Sequence, residues 1–266
     1  MHAASAHEWH HAGDRSVSAT ELALVMPMAG RGSRFASGGH RQPKPLIDVA
    51  GRPAFWWATE SVRRSGVVGE MVYVVLAEHV ASFGIDEIIS SHYSDARVVT
   101  ISEVTAGAAE SAAIGVAALE SSGPVAVNDC DHAFRVDGLR ELVASLTDSA
   151  EGALLGFRSA SPAYSYVALD VDGRVRGTVE KDPVSPFAIA GCYLFASPVT
   201  FLEGVARYRA ECEYPELYVS GVYNTLLRGG AHILFHELDG HAAFGTPEEL
   251  TRVDAKQLEQ LLTASS

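Results

Sequence analysis

Apolar runs of strand length alternate with helical patterning through the first half of the chain. Residues 22–28, 71–77, 97–101 and 124–127 are short, mostly β-branched or aliphatic, and bounded by polar or glycine-containing loops. Between them, 54–65 has helical spacing with Pro53 near its first turn, and 78–93 reads as a helix interrupted near Gly84. The stretch Thr105-Ala-Gly-Ala-Ala-Glu-Ser-Ala-Ala is followed by an alanine-rich amphipathic helix to about residue 119. This alternation predicts an α/β fold with a mainly parallel sheet covered on both faces. The second half is less regular. It reads as a helix over 138–146, strands over 152–157, 166–171 and 174–180, and a strand over 187–196. Asp172–Gly173 supplies a hairpin turn between the second and third of these strands. Helices over 198–211 and 216–227, a strand over 232–238 and a helix over 247–262 with Thr246 as N-cap complete the pattern. Adjacent Trp56 and Trp57 point in different directions; the core is the expected place for each, with a pocket wall as the alternative for one.

The first apolar run feeds a loop with glycines at Gly30, Gly32, Gly38 and Gly39 and cations at Arg31, Arg34, Arg41 and Lys44. Glycines let backbone N–H groups approach an anion closely, and the cations neutralise it. Neither common phosphate fingerprint fits. G-x-x-x-x-G-K-[ST] is absent, and G-x-G-x-x-G would need a glycine where Phe35 stands. Against a polyphosphate cradle stands a plain glycine-rich surface turn.

The fourth apolar run leads straight into Asn128-Asp129-Cys130-Asp131-His132. Alternate residues of an extended chain share a face, so Asp129 and Asp131 can present two hard oxygen ligands to one Mg²⁺. The competing structural role is a pair of Asx turns capping the next helix. Cys130 is expected to face the core and His132 to be a neighbour rather than a ligand. Ligands of open α/β sheets collect at the carboxyl ends of strands, which places the glycine loop and the aspartates on one edge. Further on, Glu180–Lys181 closes a strand. It is either an exposed charge pair or a hydroxyl and phosphate contact in a cleft.

Composition narrows the partners. The formal charge of −13 argues against general affinity for nucleic acid or an anionic membrane. No apolar run approaches the ~20 residues of a membrane span. Cys130, Cys192 and Cys212 are widely spaced without metal-ligand spacing, and the first twenty residues lack a signal-peptide core, so a cytoplasmic setting is expected. Residues 1–20, with His2, His7, His10 and His11, read as a disordered extension. Residues 21–266 read as one domain.

With these residues assembled, the chain resembles the sugar-phosphate nucleotidyltransferases, also called nucleotide-sugar pyrophosphorylases, from about residue 22 to 250. Met28-Ala-Gly-Arg-Gly-Ser-Arg-Phe35 is similar to the family's opening loop, and Pro43-Lys44-Pro45-Leu46-Ile47 with Gly51-Arg52-Pro53 to its "PKPL…GKP" segment. Val179-Glu180-Lys181-Asp182-Pro183 is similar to its "EKP" segment, and Gly191-Cys192-Tyr193-Leu194-Phe195 to the strand after it. Residues 218–226 with Gly245-Thr246-Pro247-Glu248-Glu249-Leu250 resemble the close of a short branch associated with bacterial surface polysaccharides.

The resemblance implies a Rossmann-like, three-layer α/β/α (GT-A-like) fold. It implies a nucleotide-binding half over about 21–150 and an acceptor-binding half over about 151–266. The implied reaction is attack of an acceptor phosphate, such as a sugar 1-phosphate, on the α-phosphorus of a nucleoside triphosphate, with pyrophosphate leaving. It also implies roles. Met28, Ala29, Gly30, Gly32, Ser33, Arg34, Gly107, Ala108, Asn128 and Asp129 would contact the nucleotide. Arg34, Lys44, Asp131 and Lys181 would carry catalysis. Glu180, Lys181 and Tyr193 would hold the acceptor, and Asp129, Asp131 and Asn224 would hold Mg²⁺. Within the loop, Arg34 and Lys44 are the favoured cations; Arg31 and Arg41 are solvated neighbours or lid residues, and 37–40 is the part expected to move. A homodimer is the expected assembly on frequency grounds.

Two positions depart from the family pattern. Gly221 and Ala243 fall where acids are expected, which is why Asn224 is assigned to complete the metal site. Three other readings compete: a metal-dependent glycosyltransferase of similar fold, a catalytically weakened nucleotide-sugar sensor, and a molybdopterin nucleotidyltransferase. The last shares the opening loop, but the "EKDP" and "GTPEEL" segments fit it poorly.

Overall fold

The computed structural model describes residues 21–263, so the reading of 1–20 lies outside the described residues. The strands are β1 (Leu22–Pro27), β2 (Asp48–Val49), β3 (Arg52–Pro53), β4 (Val68–Leu76), β5 (Arg97–Ile101), β6 (Val125–Asn128) and β7 (His132–Arg135). They continue as β8 (Gly152–Arg158), β9 (Ser165–Leu169), β10 (Val175–Glu180), β11 (Phe187–Phe195), β12 (Ile233–Glu237) and β13 (Gly240–Ala243). The helices are α1 (Ser33–Ser37), α2 (Ala54–Arg63), α3 (Ala77–Phe83), α4 (Ile85–His92) and α5 (Ala108–Ala117). They continue as α6 (Leu139–Asp148), α7 (Pro198–Glu211), α8 (Val219–Arg228), α9 (Pro247–Leu250) and α10 (Ala255–Leu262).

β6, β1, β4 and β5 lie side by side and parallel, with Leu24 opposite both Met71 and Ala126. β11 adds antiparallel to β6 and carries β8 on its other edge, and β12 pairs parallel with β8. The β9–β10 hairpin joins the start of β11, where Ala188 faces Tyr166. One mixed, nine-stranded sheet therefore runs through both halves of the chain, with the parallel strands in the first half as the patterning predicts and antiparallel pairs added by β8 to β11. Strand alternation sorts β1 to two cores. Leu22, Leu24 and Met26 pack with Phe55, Ala58, Val62, Ile85, Ile89 and Leu139 of α2, α4 and α6. Ala23 and Val25 pack with Ala109, Ala112, Phe201, Val205 and Val222 of α5, α7 and α8. A strand buried on both faces has no polar positions, which is why its sequence is a continuous apolar run.

Several elements differ from the patterning. The glycine loop contains a helical turn, α1, anchored by the buried Phe35, and Gly39 N and His40 N donate back to Ala36 O and Phe35 O beyond its end. The segment 247–262 is two helices: α9 ends at Leu250, and Asp254 caps α10 by accepting from Lys256 N at 3.0 Å. The break lets Leu258, Leu261 and Leu262 reach Trp57 and Phe244. The ladder between β7 and β13, with His241 opposite Phe134, joins segments about a hundred residues apart and has no local signature. Trp57 is buried and donates from Nε1 to Val49 O at 2.7 Å. Trp56 is half-buried against the core, with the Arg52 and Arg64 guanidiniums 5.0 and 5.8 Å from its ring. Neither tryptophan lines the cleft. No described helix is long and apolar enough to cross a membrane.

Candidate active site

A cleft of about 710 Å³ opens at the carboxyl ends of β1 and β6. One wall is the chain from Met28 to Phe35 with Lys44, and another is Val104 to Ala108. Its floor is Asp129 to His132, and Tyr164, Ser165, Glu180, Lys181, Tyr193, Tyr218, Gly245 and Glu249 close the far side.

The Thr105–Ala108 wall is stitched to Leu217 by two backbone bonds, Leu217 N to Ala106 O and Ala109 N to Leu217 O, both 2.9 Å. A Cβ on Gly107 would lie 2.4 Å from Leu217 N and 2.6 Å from its carbonyl oxygen, so only glycine permits this approach. Thr105 Oγ1 and Ser111 Oγ share a 2.6 Å bond, and Glu110 accepts from Ala106 N at 2.7 Å, which fixes the entry into α5. Across the cleft, a Cβ on Gly30 would meet nothing within 4 Å, so its backbone faces open space.

Lys44 begins a 3₁₀ turn between Pro43 and Pro45, and its Nζ donates to Asp131 Oδ2 at 2.5 Å. The side chains retain 27% and 13% exposure, so this ion pair is largely shielded from water. Burial acts against the charge of each. For Lys44 it is overridden by Asp131, with smaller help from Cys130 and Asp129, and the ammonium is held above its usual range. For Asp131 it is overridden by Lys44, through its charge and its hydrogen bond, and the carboxyl is held down. Asp129 is pushed up, by burial first and then by the Asp131 charge. Backbone clamps hold both: Asp129 N donates to Gly191 O at 2.7 Å, and Phe244 N to Asp131 O at 2.9 Å. A Cβ on Gly245 would fall 2.2 Å from Asp131 Oδ2, so the closing segment must be glycine there to pass the carboxylate.

The donor set fits Mg²⁺ in one particular way. Among the described residues, no group of three or more His, Cys, Asp or Glu side chains could hold an ion by itself. Two hard carboxylates at a cleft floor match an ion that takes one or two protein ligands and completes its shell with water and substrate phosphates.

The far side is held by hydroxyls. Glu180 Oε1 accepts from Ser165 Oγ at 2.6 Å and from Ser220 Oγ. Lys181, with φ of 57°, sits at the exposed rim and donates from Nζ to Tyr218 OH at 2.9 Å. Tyr164 OH donates to Glu249 Oε1, and Glu249 Oε2 accepts from Gly245 N at 2.9 Å.

Behind Asp131, His132 Nδ1 and His241 Nε2 are 2.8 Å apart, one nitrogen donating and the other accepting, and His241 stacks on Phe157 at 3.6 Å. Burial lowers both imidazoles, so the fold holds the pair neutral. A folded pKa below the unfolded one means that the unfolded chain takes up more protons as pH falls through about 6.5, and stability is lost in that direction. Asp129 acts oppositely over the same range, because its carboxyl is raised. The histidine contribution is therefore read as a difference. His241→Gln is expected to lose about 1–2 kcal/mol less than the native protein between pH 7 and pH 5, measured by urea unfolding. Equal losses would show that His241 carries no buried-neutral penalty.

The cleft gathers Met28, Ala29, Gly30, Gly32, Ser33, Arg34, Lys44, Gly107, Ala108, Asp129, Asp131, Glu180, Lys181 and Tyr193. Two expected residues are elsewhere. Asn128 is fully buried, and its Nδ2 donates to Ala58 O at 2.9 Å, so it ties β6 to α2 rather than touching a nucleotide. Asn224 is not at the aspartates: its amide accepts from Thr178 N at 2.8 Å and donates to Thr178 O at 2.9 Å, pinning α8 to β10. Gly221 packs under Tyr208, whose ring a Cβ would strike at 2.2 Å, so no acid fits there without displacing it. Sequence reasoning missed Tyr164 and Glu249. Thr246-Pro-Glu-Glu249 reads as a capping box, and Thr246 Oγ1 does accept from Glu249 N at 3.1 Å. That spacing signals a helix start and carries no sign of Tyr164, 85 positions away.

Comparison with known proteins agrees with this geometry. Residues 24–184 match the family described as MobA-like NTP transferase domain, a span that includes the glycine loop, the aspartates and the Glu180–Lys181 segment. The low-salt glycan biosynthesis nucleotidyltransferase Agl11 of Haloferax volcanii is 25% identical over 248 residues, 88% of this chain and 66% of that protein. The chain thus spans just under two thirds of that relative's length. Among solved structures, a nucleoside-diphosphate-sugar pyrophosphorylase from Vibrio cholerae RC9 superimposes with a TM-score of 0.74 at 24% identity, covering 86% of this chain and 98% of that one. A putative glucose-1-phosphate thymidylyltransferase from Bacillus anthracis gives 0.72 at 19% identity over 92% and 98%. The inositol-1-phosphate CTP transferase from T. maritima gives 0.70 at 16% identity over 92% and 96%. These likenesses fix the fold as a Rossmann-like α/β nucleotidyltransferase fold, and by the match over more than half its length the chain belongs to the MobA-like NTP transferase domain family.

Proposed function

We propose that the protein transfers a nucleoside monophosphate from a nucleoside triphosphate to a small phosphorylated acceptor, with sugar 1-phosphates as the leading acceptor class, and releases pyrophosphate. The observation that carries this reading is the Lys44–Asp131 pair, set beside Asp129 at the foot of a glycine and arginine loop. In this reading the backbone around Ala29, Gly30 and Gly107 holds the base, and the loop N–H groups with Arg34 hold the β- and γ-phosphates. Lys44 moves from Asp131 to the α-phosphate and neutralises the charge that develops as pyrophosphate departs. Asp129 and Asp131 would hold Mg²⁺, which supplies charge neutralisation on the triphosphate when bound. Lys181 and Glu180 orient the acceptor, whose phosphate oxygen attacks in line. No covalent enzyme intermediate is involved; positioning and electrostatics supply the rate.

The names of the relatives support a sugar-type acceptor. They include a glycan-biosynthesis nucleotidyltransferase and a nucleoside-diphosphate-sugar pyrophosphorylase. The test is a thermal-shift screen of ATP, CTP, GTP, UTP and dTTP with Mg²⁺, followed by pyrophosphate release with a sugar 1-phosphate. A bound triphosphate at a hundredfold excess over Kd stabilises by roughly 2.7 kcal/mol. A shift with one base and acceptor-dependent pyrophosphate supports the reading. Absence of any shift, or turnover of a nucleotide sugar without pyrophosphate, removes it.

A further inference from the structure

The far wall of the cleft contains two carboxylates positioned by consecutive residues. Tyr164 OH donates to Glu249 and Ser165 Oγ donates to Glu180, so the start of β9 sets both. Gly245 N–H adds to Glu249, and Ser220 Oγ adds to Glu180. All of these donors are neutral, and among the described residues neither carboxylate forms an ion pair. Each keeps lone pairs free to accept from a ligand in the cavity that both line.

The cleft's lysines and arginines are placed differently. Arg31 and Arg34 belong to the glycine loop, Lys44 sits at Asp131, and Lys181 donates to Tyr218 OH at the rim. An acceptor phosphate can meet a cation at Lys44 or Lys181. The wall beyond them offers the carboxylates of Glu180 and Glu249 and the hydroxyls of Tyr164, Ser165 and Tyr218.

We propose that Glu249, held by Tyr164, is a specificity-determining residue that selects phosphorylated acceptors whose body offers hydroxyl or ammonium donors and carries no second anion. This rests on the nucleotidyltransfer reading above and adds to it the chemical class of the acceptor. A carboxylate can only accept, so donors on the acceptor satisfy it. An anionic body would be placed against like charge in a partly enclosed space.

The test uses matched pairs that differ by one carboxylate: glucose 1-phosphate against glucuronic acid 1-phosphate, and phosphoethanolamine against phosphoserine. Pyrophosphate release is followed with the full chain, Mg²⁺ and the triphosphate that gives the largest thermal shift. The native protein is expected to favour the uncarboxylated member of the pair it uses by about tenfold or more in kcat/KM. Glu249→Gln is expected to bring that ratio close to one, chiefly by improving the carboxylated member. Tyr164→Phe keeps the charge and is expected to keep the preference, although both members lose rate. The split between the two variants separates a charge effect from damage to the wall. Equal use of both members by the native protein, or an unchanged ratio in Glu249→Gln, overturns the proposal and leaves nucleotidyltransfer standing. No turnover with any of the four overturns both.

Discussion

Lys44→Met is expected to lower turnover by about a hundredfold to a thousandfold, the range seen when one preorganised charge-stabilising donor is removed. The same change is expected to destabilise the fold. Methionine fills the space but leaves Asp129 and Asp131 side by side without a cation, with Glu180 acting on Asp129 as well. Breaking a fully buried ion pair costs about 3–5 kcal/mol, and the residual exposure of this pair brings the expected loss to about 2–4 kcal/mol. Uptake of a proton by Asp129, whose carboxyl is already raised, limits the loss. Asp131→Asn should reduce turnover similarly but cost less stability, because Lys44 then faces Asp129. The discriminating measurement is melting temperature with and without Mg²⁺ or Mn²⁺. Freed carboxylates should make Lys44→Met gain more from the metal than the native protein does. A variant that gains nothing removes the assignment of Asp129 and Asp131 as metal ligands, and near-normal turnover removes the role of Lys44.

Gly107→Ala is expected to weaken triphosphate binding at least tenfold and to destabilise the protein by about 1–3 kcal/mol, the cost of forced overpacking. The added methyl would sit 2.4–2.9 Å from backbone atoms of Leu217, and no rotamer can move a backbone aside. The loop would have to part from Leu217, breaking two hydrogen bonds worth about 1 kcal/mol each. Calorimetric titration of the triphosphate and urea unfolding check the two effects. Gly30→Ala is the companion: its Cβ would meet nothing, so unfolding should be unchanged. Any loss of nucleotide affinity there reports contact with the ligand itself. Native stability and affinity in Gly107→Ala would mean that the Leu217 contact does not shape the site.

Much of the molecule is readable from local pattern. The β1 and β6 strands and the second half of β4 are continuous apolar runs because both faces are covered, and α7 ends where its pattern ends. Asp129, Asp131 and Glu180 stood out because they end or closely follow a strand, and Lys44 because it lies in the cationic glycine loop between Pro43 and Pro45. The misreadings share one cause. Asn128 and Asn224 carry the right chemistry at plausible spacing, but an amide serves equally well as a backbone clasp, and the nearest unpaired backbone decides which it becomes. Tyr164 and Glu249 are 85 positions apart, and nothing local distinguishes them from a loop tyrosine and a capping acid.

The order of apolar and polar residues thus determined the strands, the helices, the two-sided sheet and the edge on which chemistry collects, because those depend on backbone periodicity and the side on which each residue falls. It also determined the glycine and cation loop and the paired aspartates. Folding decided the partners: Lys44 with Asp131, Gly107 under Leu217, Gly245 beside the Asp131 carboxylate, and Glu249 with Tyr164. Those choices turn on distances of a few tenths of an ångström between segments far apart in the chain. Hydrogen bonds and close packing depend on such distances, and residue order does not encode them locally.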